Sequence, residues 1–233
     1  MSPAKSLNPQ SLARWVGWSL IGTIAIGLYS AMVVADGIDI NLSADVVATA
    51  RNMLDAETQL RAKAYVGGLV FSFQAIIGIG LFLLLRKSGE LLAGWSLFVS
   101  LAASVLGLLG AVFAMNAAEI AGDPAYGSMA GDTRLMLAGL QATSDYTSFH
   151  LGLILSSAAN AGFFYLFLRS KLIPQIIAGW GLFASIFVVT MIVGRDFVPM
   201  LGHGTITAAF LLSNLVALAS TGLYLGIRGV RSS

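Results

Sequence analysis

Along the chain, long uncharged stretches alternate with short charged ones. Six stretches carry no Lys, Arg, Asp or Glu and are long enough to matter: residues 15–35, 64–85, 91–118, 146–168, 172–194 and 197–227. A helix needs about 20 apolar residues to cross a hydrocarbon core of about 30 Å. Helix is the expected state of each, because an isolated span must satisfy its own backbone groups. Trimmed to that length, the predicted spans are 15–35, 64–85, 91–115, 146–168, 173–194 and 205–227. The fold class this predicts is all-α: a polytopic integral membrane bundle of six transmembrane helices, read as a single domain over 1–233. The first stretch follows Lys5 and Arg14 and ends in Val33-Val34-Ala35, which has some likeness to a secretory leader. At 21 residues it exceeds the usual apolar region of about 7–15, so a retained helix is expected.

A repeat organises the spans. Val16-Gly17-Trp18-Ser19-Leu20, Ala93-Gly94-Trp95-Ser96-Leu97 and Ala178-Gly179-Trp180-Gly181-Leu182 open the first, third and fifth. The second, fourth and sixth end alike, in an apolar run closed by Arg86, Arg169 or Arg228. Such self-similarity predicts three two-helix hairpins repeated in parallel. Trp18, Trp95 and Trp180 are read as interfacial anchors, with the preceding glycine allowing close helix packing. Small residues at Ser157/Ala161, Ala158/Gly162 and Gly222/Gly226 point to the same kind of packing.

Between the first two spans, Val46, Val47, Ala50, Met53, Leu54 and Leu60 recur at helical spacing, and Ser43 is a candidate cap. The connection 116–145 turns near Asp123-Pro124 and then shows a short apolar helix around 135–140. Both are expected to be amphipathic helices lying on the membrane surface or capping the bundle. Pro174 suits the first turn of the fifth helix.

Charge sets the orientation. Lys5, Arg14, Arg86, Lys87, Arg169, Lys171, Arg228 and Arg231 fall on one side with the single acid Glu90. Arg51, Arg61, Lys63, Arg134 and Arg195 fall on the other, with the remaining ten acids. Lys and Arg in short loops favour the cytoplasm, so both termini are expected inside. The composition agrees with a membrane protein. The chain is 57% hydrophobic and 10% charged, where soluble domains average about 45–50% and about 25%. That excludes a disordered chain. A net charge of +2 leaves no footprint for nucleic acid. With no cysteine, disulfides and thiolate chemistry are excluded.

Two segments carry a resemblance. Arg169-Ser170-Lys171-Leu172-Ile173-Pro174, followed by Gly179 and Leu182, is one; Ala48-Thr49-Ala50-Arg51-Asn52-Met53-Leu54, followed by Arg61, is the other. Together they resemble a bacterial six-helix membrane family known as domain of unknown function 4386, over about residues 14–228. The resemblance implies a bacterial inner-membrane location and a six-helix fold. It implies no activity and no catalytic residues.

Few residues offer chemistry. Gln74, Asn160 and Asn214 lie 12, 9 and 14 residues from the arginines that end their spans. At 1.5 Å per residue the depths are about 18, 14 and 21 Å, mid-membrane in each case. They are candidates for interhelical hydrogen bonds or for a polar ligand pocket. No acid or base sits at mid-membrane, which weighs against an ion-coupled pump. Breaks in the second helix at Gly67-Gly68 or Gly78/Gly80 would mark a transporter site. His150 and His203 fall at outer span ends, near Asp145, Arg195, Asp196 and Met200. This outer-face polar cluster is read first as two interfacial histidines in a wet outer vestibule; a haem or metal site is the alternative, for which zinc would require an aspartate as third ligand. The outer acids are otherwise expected to be solvated or paired with Arg51, Arg61, Lys63 and Arg134. Phosphate-loop, serine-elbow and His-Glu-x-x-His motifs are absent.

The leading expectation is a non-catalytic inner-membrane protein that binds a lipophilic small molecule or serves as accessory subunit to another membrane protein. A transporter using the amide-lined core and a haem or metal enzyme are the alternatives. Membrane lipid is the expected partner, and the sequence names no cofactor.

Overall fold

The computed structural model describes residues 8–40 and 45–231. Among the described residues every regular element is helical. The α-helices are α1 (Pro9–Tyr29), α2 (Val46–Leu54), α3 (Glu57–Leu85), α4 (Glu90–Gly122), α5 (Pro124–Gly127), α6 (Gly131–Ser170), α7 (Gln175–Phe197) and α8 (Gly204–Arg228). Among these residues six helices are long and apolar enough to cross a membrane, namely α1, α3, α4, α6, α7 and α8. The described residues pack as two units. One comprises 8–24, 73–101 and 154–231; the other comprises 25–40, 45–72 and 102–153.

In the first unit, glycines show which helices touch. A Cβ on Gly80 would meet Val16 of α1, and one on Gly78 would meet Leu97 and Ser100 of α4. Gly162 of α6 faces Ser96 of α4, and Gly181 of α7 faces Phe164 of α6. α7 and α8 form a hairpin. Gly17 of α1 then rests on the backbone of Gly222 and Gly226 in α8. Helix touches helix in chain order and the last returns to the first. The shared core holds Val16, Leu81, Leu85, Phe163, Phe164, Phe167, Ile173 and Leu225.

One end of this unit is tied by its termini. Gln10 Nε2 donates to the Val230 carbonyl (2.6 Å), and the Val230 amide donates back to Gln10 Oε1 (3.1 Å). The Arg231 amide donates to the Leu172 carbonyl at 2.9 Å. Between α6 and α7, Lys171 adopts a left-handed conformation (φ 57°) and Ile173 is fully buried. Pro174 is the N-cap of α7, one position ahead of the first turn, and its carbonyl accepts from Ile177 and Ala178.

In the second unit, α1 ends in a π-helical turn (Ser30–Val34), closed by Ala35 N–H donating to the Ser30 carbonyl at 2.7 Å. α2 forms as its apolar spacing predicts. Its cap is Asp45, whose carboxylate accepts from the Val47 amide at 2.8 Å; Ser43 lies outside the described residues. Asn52 of α2 donates to the Gly37 carbonyl (2.8 Å). Ala35, Ile38, Met53, Leu60, Ala117, Ala118 and Ala142 form the core here.

Two expectations change. α3 is unbroken through Gly67, Gly68, Gly78 and Gly80. Packing absorbs three of these four: Gly67 faces Ala111, and the other two face α4 and α1. Close contact thus replaces the break as their role. The helix expected around 135–140 exists but does not stand apart. It is the start of α6, which runs for 40 residues without interruption. About 20 suffice to cross the hydrocarbon, so about half of α6 lies beyond it. No proline falls between 125 and 173 to stop it.

Candidate functional site

The second unit concentrates the polar chemistry. Lys63, just before the apolar run of α3, places its ammonium between the carboxylates of Asp39 and Asp145. The three side chains are only 15–20% exposed. Gly110 of α4 leaves the space that the Asp145 carboxylate occupies. One base faces two acids, so the ammonium is held by attraction on two sides. Half a turn away, Arg61 pairs with Glu57 (3.0 Å) and with Glu119 of α4 (2.9 Å), in a more exposed setting. Arg134 takes no acid. Its Nε donates to the Ile120 carbonyl (3.0 Å) and its Nη2 to the Ala121 carbonyl (2.5 Å). A cation here meets the negative end of the α4 dipole and its unpaired carbonyls.

Beside these charges α2 crosses the start of α6. Gly139 lets Val46 and Ala50 approach, with their side chains 3.8 and 3.7 Å from where a Cβ would stand. The crossing leaves an open groove of about 460 Å³. Val46, Val47 and Ala50 line one side, and Leu135, Met136, Leu140 and Thr143 the other, with Asp132 at the margin. Met136 is 67% and Leu140 58% exposed. The volume lies within the range of ligand sites, about 300–1,000 Å³. The lining residues of α6 precede the predicted start of the fourth span at Tyr146 by 3 to 14 positions. That is about 5–20 Å along a helix, on the far side of Tyr146 from the apolar run 146–168.

The residues singled out in the sequence are distributed as follows. Asp145 joins Lys63 and Asp39. His150 stacks at a tilt on Tyr146, with ring centroids 5.9 Å apart. Both belong to the second unit. His203, Arg195 and Asp196 belong to the first. The His203 Nδ1 lies 3.3 Å from Thr205 Oγ1, and Arg195 pairs loosely with its neighbour Asp196 at 4.0 Å. Among the described residues no three His, Asp or Glu side chains are placed to hold a metal. Gln74, Asn160 and Asn214 are each partly buried, all in the first unit. Asn214 Oδ1 and the adjacent Ser213 Oγ are buried without a hydrogen-bond partner, as are Ser96 Oγ and Ser157 Oγ. Trp18 lies over Gly226 and Trp95 over Gly162, and Trp180 donates to the Ser213 carbonyl (3.3 Å). All three keep about half their surface exposed.

Sequence reasoning missed the groove; it expected acids to pair with Lys63 and Arg61, as they do, but not which acids, nor that Lys63 would be largely buried between two. The signal for the groove is that the apolar arc of α2 is wider than the face it buries: Thr49, Ala50 and Met53 are buried, while Val46 and Val47 stay exposed. The signal for the cluster is that Lys63 and Asp145 each abut the start of an apolar run.

Six apolar spans, helix packing through glycine and charge kept out of the apolar runs define a multi-pass α-helical membrane protein. The chain matches, over residues 15–229, the family model described as a domain of unknown function (DUF4386), and it belongs to that family. No curated protein and no solved structure matches the chain.

Proposed function

We propose that the protein is a non-catalytic binding protein of the bacterial cytoplasmic membrane, with both termini in the cytoplasm, and that it holds a lipophilic small molecule in the groove between α2 and α6. One observation carries the reading: an open apolar groove of ligand size, lined by exposed Val47, Met136 and Leu140, which we place beyond the membrane end of the fourth span. Exposed apolar surface outside the hydrocarbon is costly unless something covers it. The lysine and arginine clusters support this reading by fixing α3, α4 and the start of α6 around the groove. The excess of Lys and Arg on the terminal side supports the orientation. The test is native mass spectrometry of protein extracted gently from its own membrane. A stoichiometric extra mass that is lost from Gly139→Trp supports the proposal; bare protein with exchangeable bulk lipid only overturns it.

A second reading draws on the unpartnered Asn214 Oδ1 and Ser213 Oγ. Buried polar atoms are normally satisfied, so these are free to receive a polar solute, as a transporter core would. Flux into proteoliposomes that is unchanged in Asn214→Leu, Asn160→Leu and Gln74→Leu would remove this reading.

A further inference from the structure

The groove between α2 and α6 has one ionisable residue in its lining, and that residue is an acid. Asp132 stands in the first turn of α6, exposed, at the groove margin. The other polar lining group, Thr143, spends its hydroxyl on the Gly139 carbonyl at 2.9 Å. Arg134 is close in sequence, but its guanidinium is bonded to the end of α4. Arg51 of α2 is not part of the lining. The surrounding unit carries nine carboxylates and four bases, a net charge of −5. The lining acid and the net charge of the unit oppose an anionic head group and favour a cationic one, and no base in the lining offsets them.

The geometry points to a lipophilic cation as the groove's ligand: an apolar chain or ring body against Val46, Val47, Met136 and Leu140, and an ammonium-type head beside the Asp132 carboxylate. This rests on the groove being a ligand site at all. Attraction between unit charges near a protein surface is about 1–4 kcal/mol at 4 Å. An exposed carboxylate lies at the low end, which corresponds to about a fivefold preference over a neutral head.

The chain has no cysteine, so a single introduced thiol reports the groove alone. The full-length Leu140→Cys protein is placed in phosphatidylcholine nanodiscs, and its alkylation by a water-soluble maleimide is timed. The probes share one chain and differ in head: dodecyltrimethylammonium, dodecanol and dodecyl sulfate. The expected result is that the ammonium probe protects the thiol at about one fifth the concentration of dodecanol, with the sulfate weaker still. Asp132→Asn then removes the difference between ammonium and alcohol, while Asp55→Asn, on the same unit but away from the groove, preserves it. Equal protection by all three heads, unaltered by Asp132→Asn, overturns the cation preference and leaves the groove reading standing. An equal loss in Asp55→Asn also overturns it, by assigning the effect to the net charge of the unit. Protection by none of the probes overturns the groove reading itself. Protection that follows protein concentration without any probe does so too, because a second copy then covers the groove.

Discussion

Gly17 and Gly94 hold the same place in the repeated Gly-Trp frame and meet different surroundings. A Cβ at Gly17 would run into the backbone of Gly222 and Gly226, which cannot turn aside as a side chain can. At Gly94 nothing lies within 4 Å. Gly17→Ala should therefore lower the melting temperature in detergent by several degrees. Gly94→Ala should leave it unchanged or raise it, because alanine gains up to about 1 kcal/mol over glycine inside a helix. Matching shifts in the two variants would contradict the packing of α1 on α8. Lys63 offers a second contrast. Lys63→Met takes the cation from between Asp39 and Asp145, and removing one partner of a buried ion pair costs about 3–5 kcal/mol. The cluster is 15–20% exposed, so the low end, about 3 kcal/mol, is expected. Arg61→Met breaks more exposed pairs and should shift the melting temperature clearly less. Thermal unfolding of both variants side by side checks the order. The sequence showed these residues but not their partners. A repeated frame makes glycines look equivalent, and only the facing helix tells them apart. Asp145 was grouped with histidines by nearness to span ends, whereas its position on α6 turns it to Lys63 and into the notch at Gly110.

Spans are legible as elements because charge is excluded from them; their continuations are not. Gln141, Thr143, Ser144 and Asp145 interrupt the apolar run before the fourth span, and hydropathy alone reads them as a loop. Helix formation does not depend on apolar character. With no proline and only Gly139 between Asp132 and Gly152, nothing there stops the backbone. A continuous α6 makes a periodic prediction. Thiols introduced at Met136 and Leu140 should react quickly with a water-soluble maleimide. Thiols at Ala138 and Ala142, which are 0% and 3% exposed, should react at least about tenfold more slowly if burial excludes the reagent. Uniform reactivity across the four positions would mean a loop. α2 was more legible, since its 3–4 spacing is complete within nine residues. The groove followed only from the crossing of α2 over Gly139, a tertiary fact that neither periodicity contains.

At the scale of the molecule, orientation is a question of where bases are counted. The rule weighs Lys and Arg in short connections and gives acids little weight. The connections after α3 and α6 hold Arg86, Lys87, Arg169 and Lys171 within a few residues of a span. The bases on the opposite side are engaged: Lys63, Arg61 and Arg134 pair with carboxylates or with helix-end carbonyls. Ser128 and Gln175 stand on either side of the single span in α6, both exposed and both uncharged. In intact cells expressing the protein, Ser128→Cys should react with a membrane-impermeant maleimide and Gln175→Cys should not. After permeabilisation both should react. The reverse pattern in intact cells would place the termini outside. It would also turn the groove between α2 and α6 toward the cytoplasm, where its ligand would have to be sought instead. Reaction of both thiols from one side would deny that α6 crosses the membrane, and with it the alternation on which the six-span topology depends.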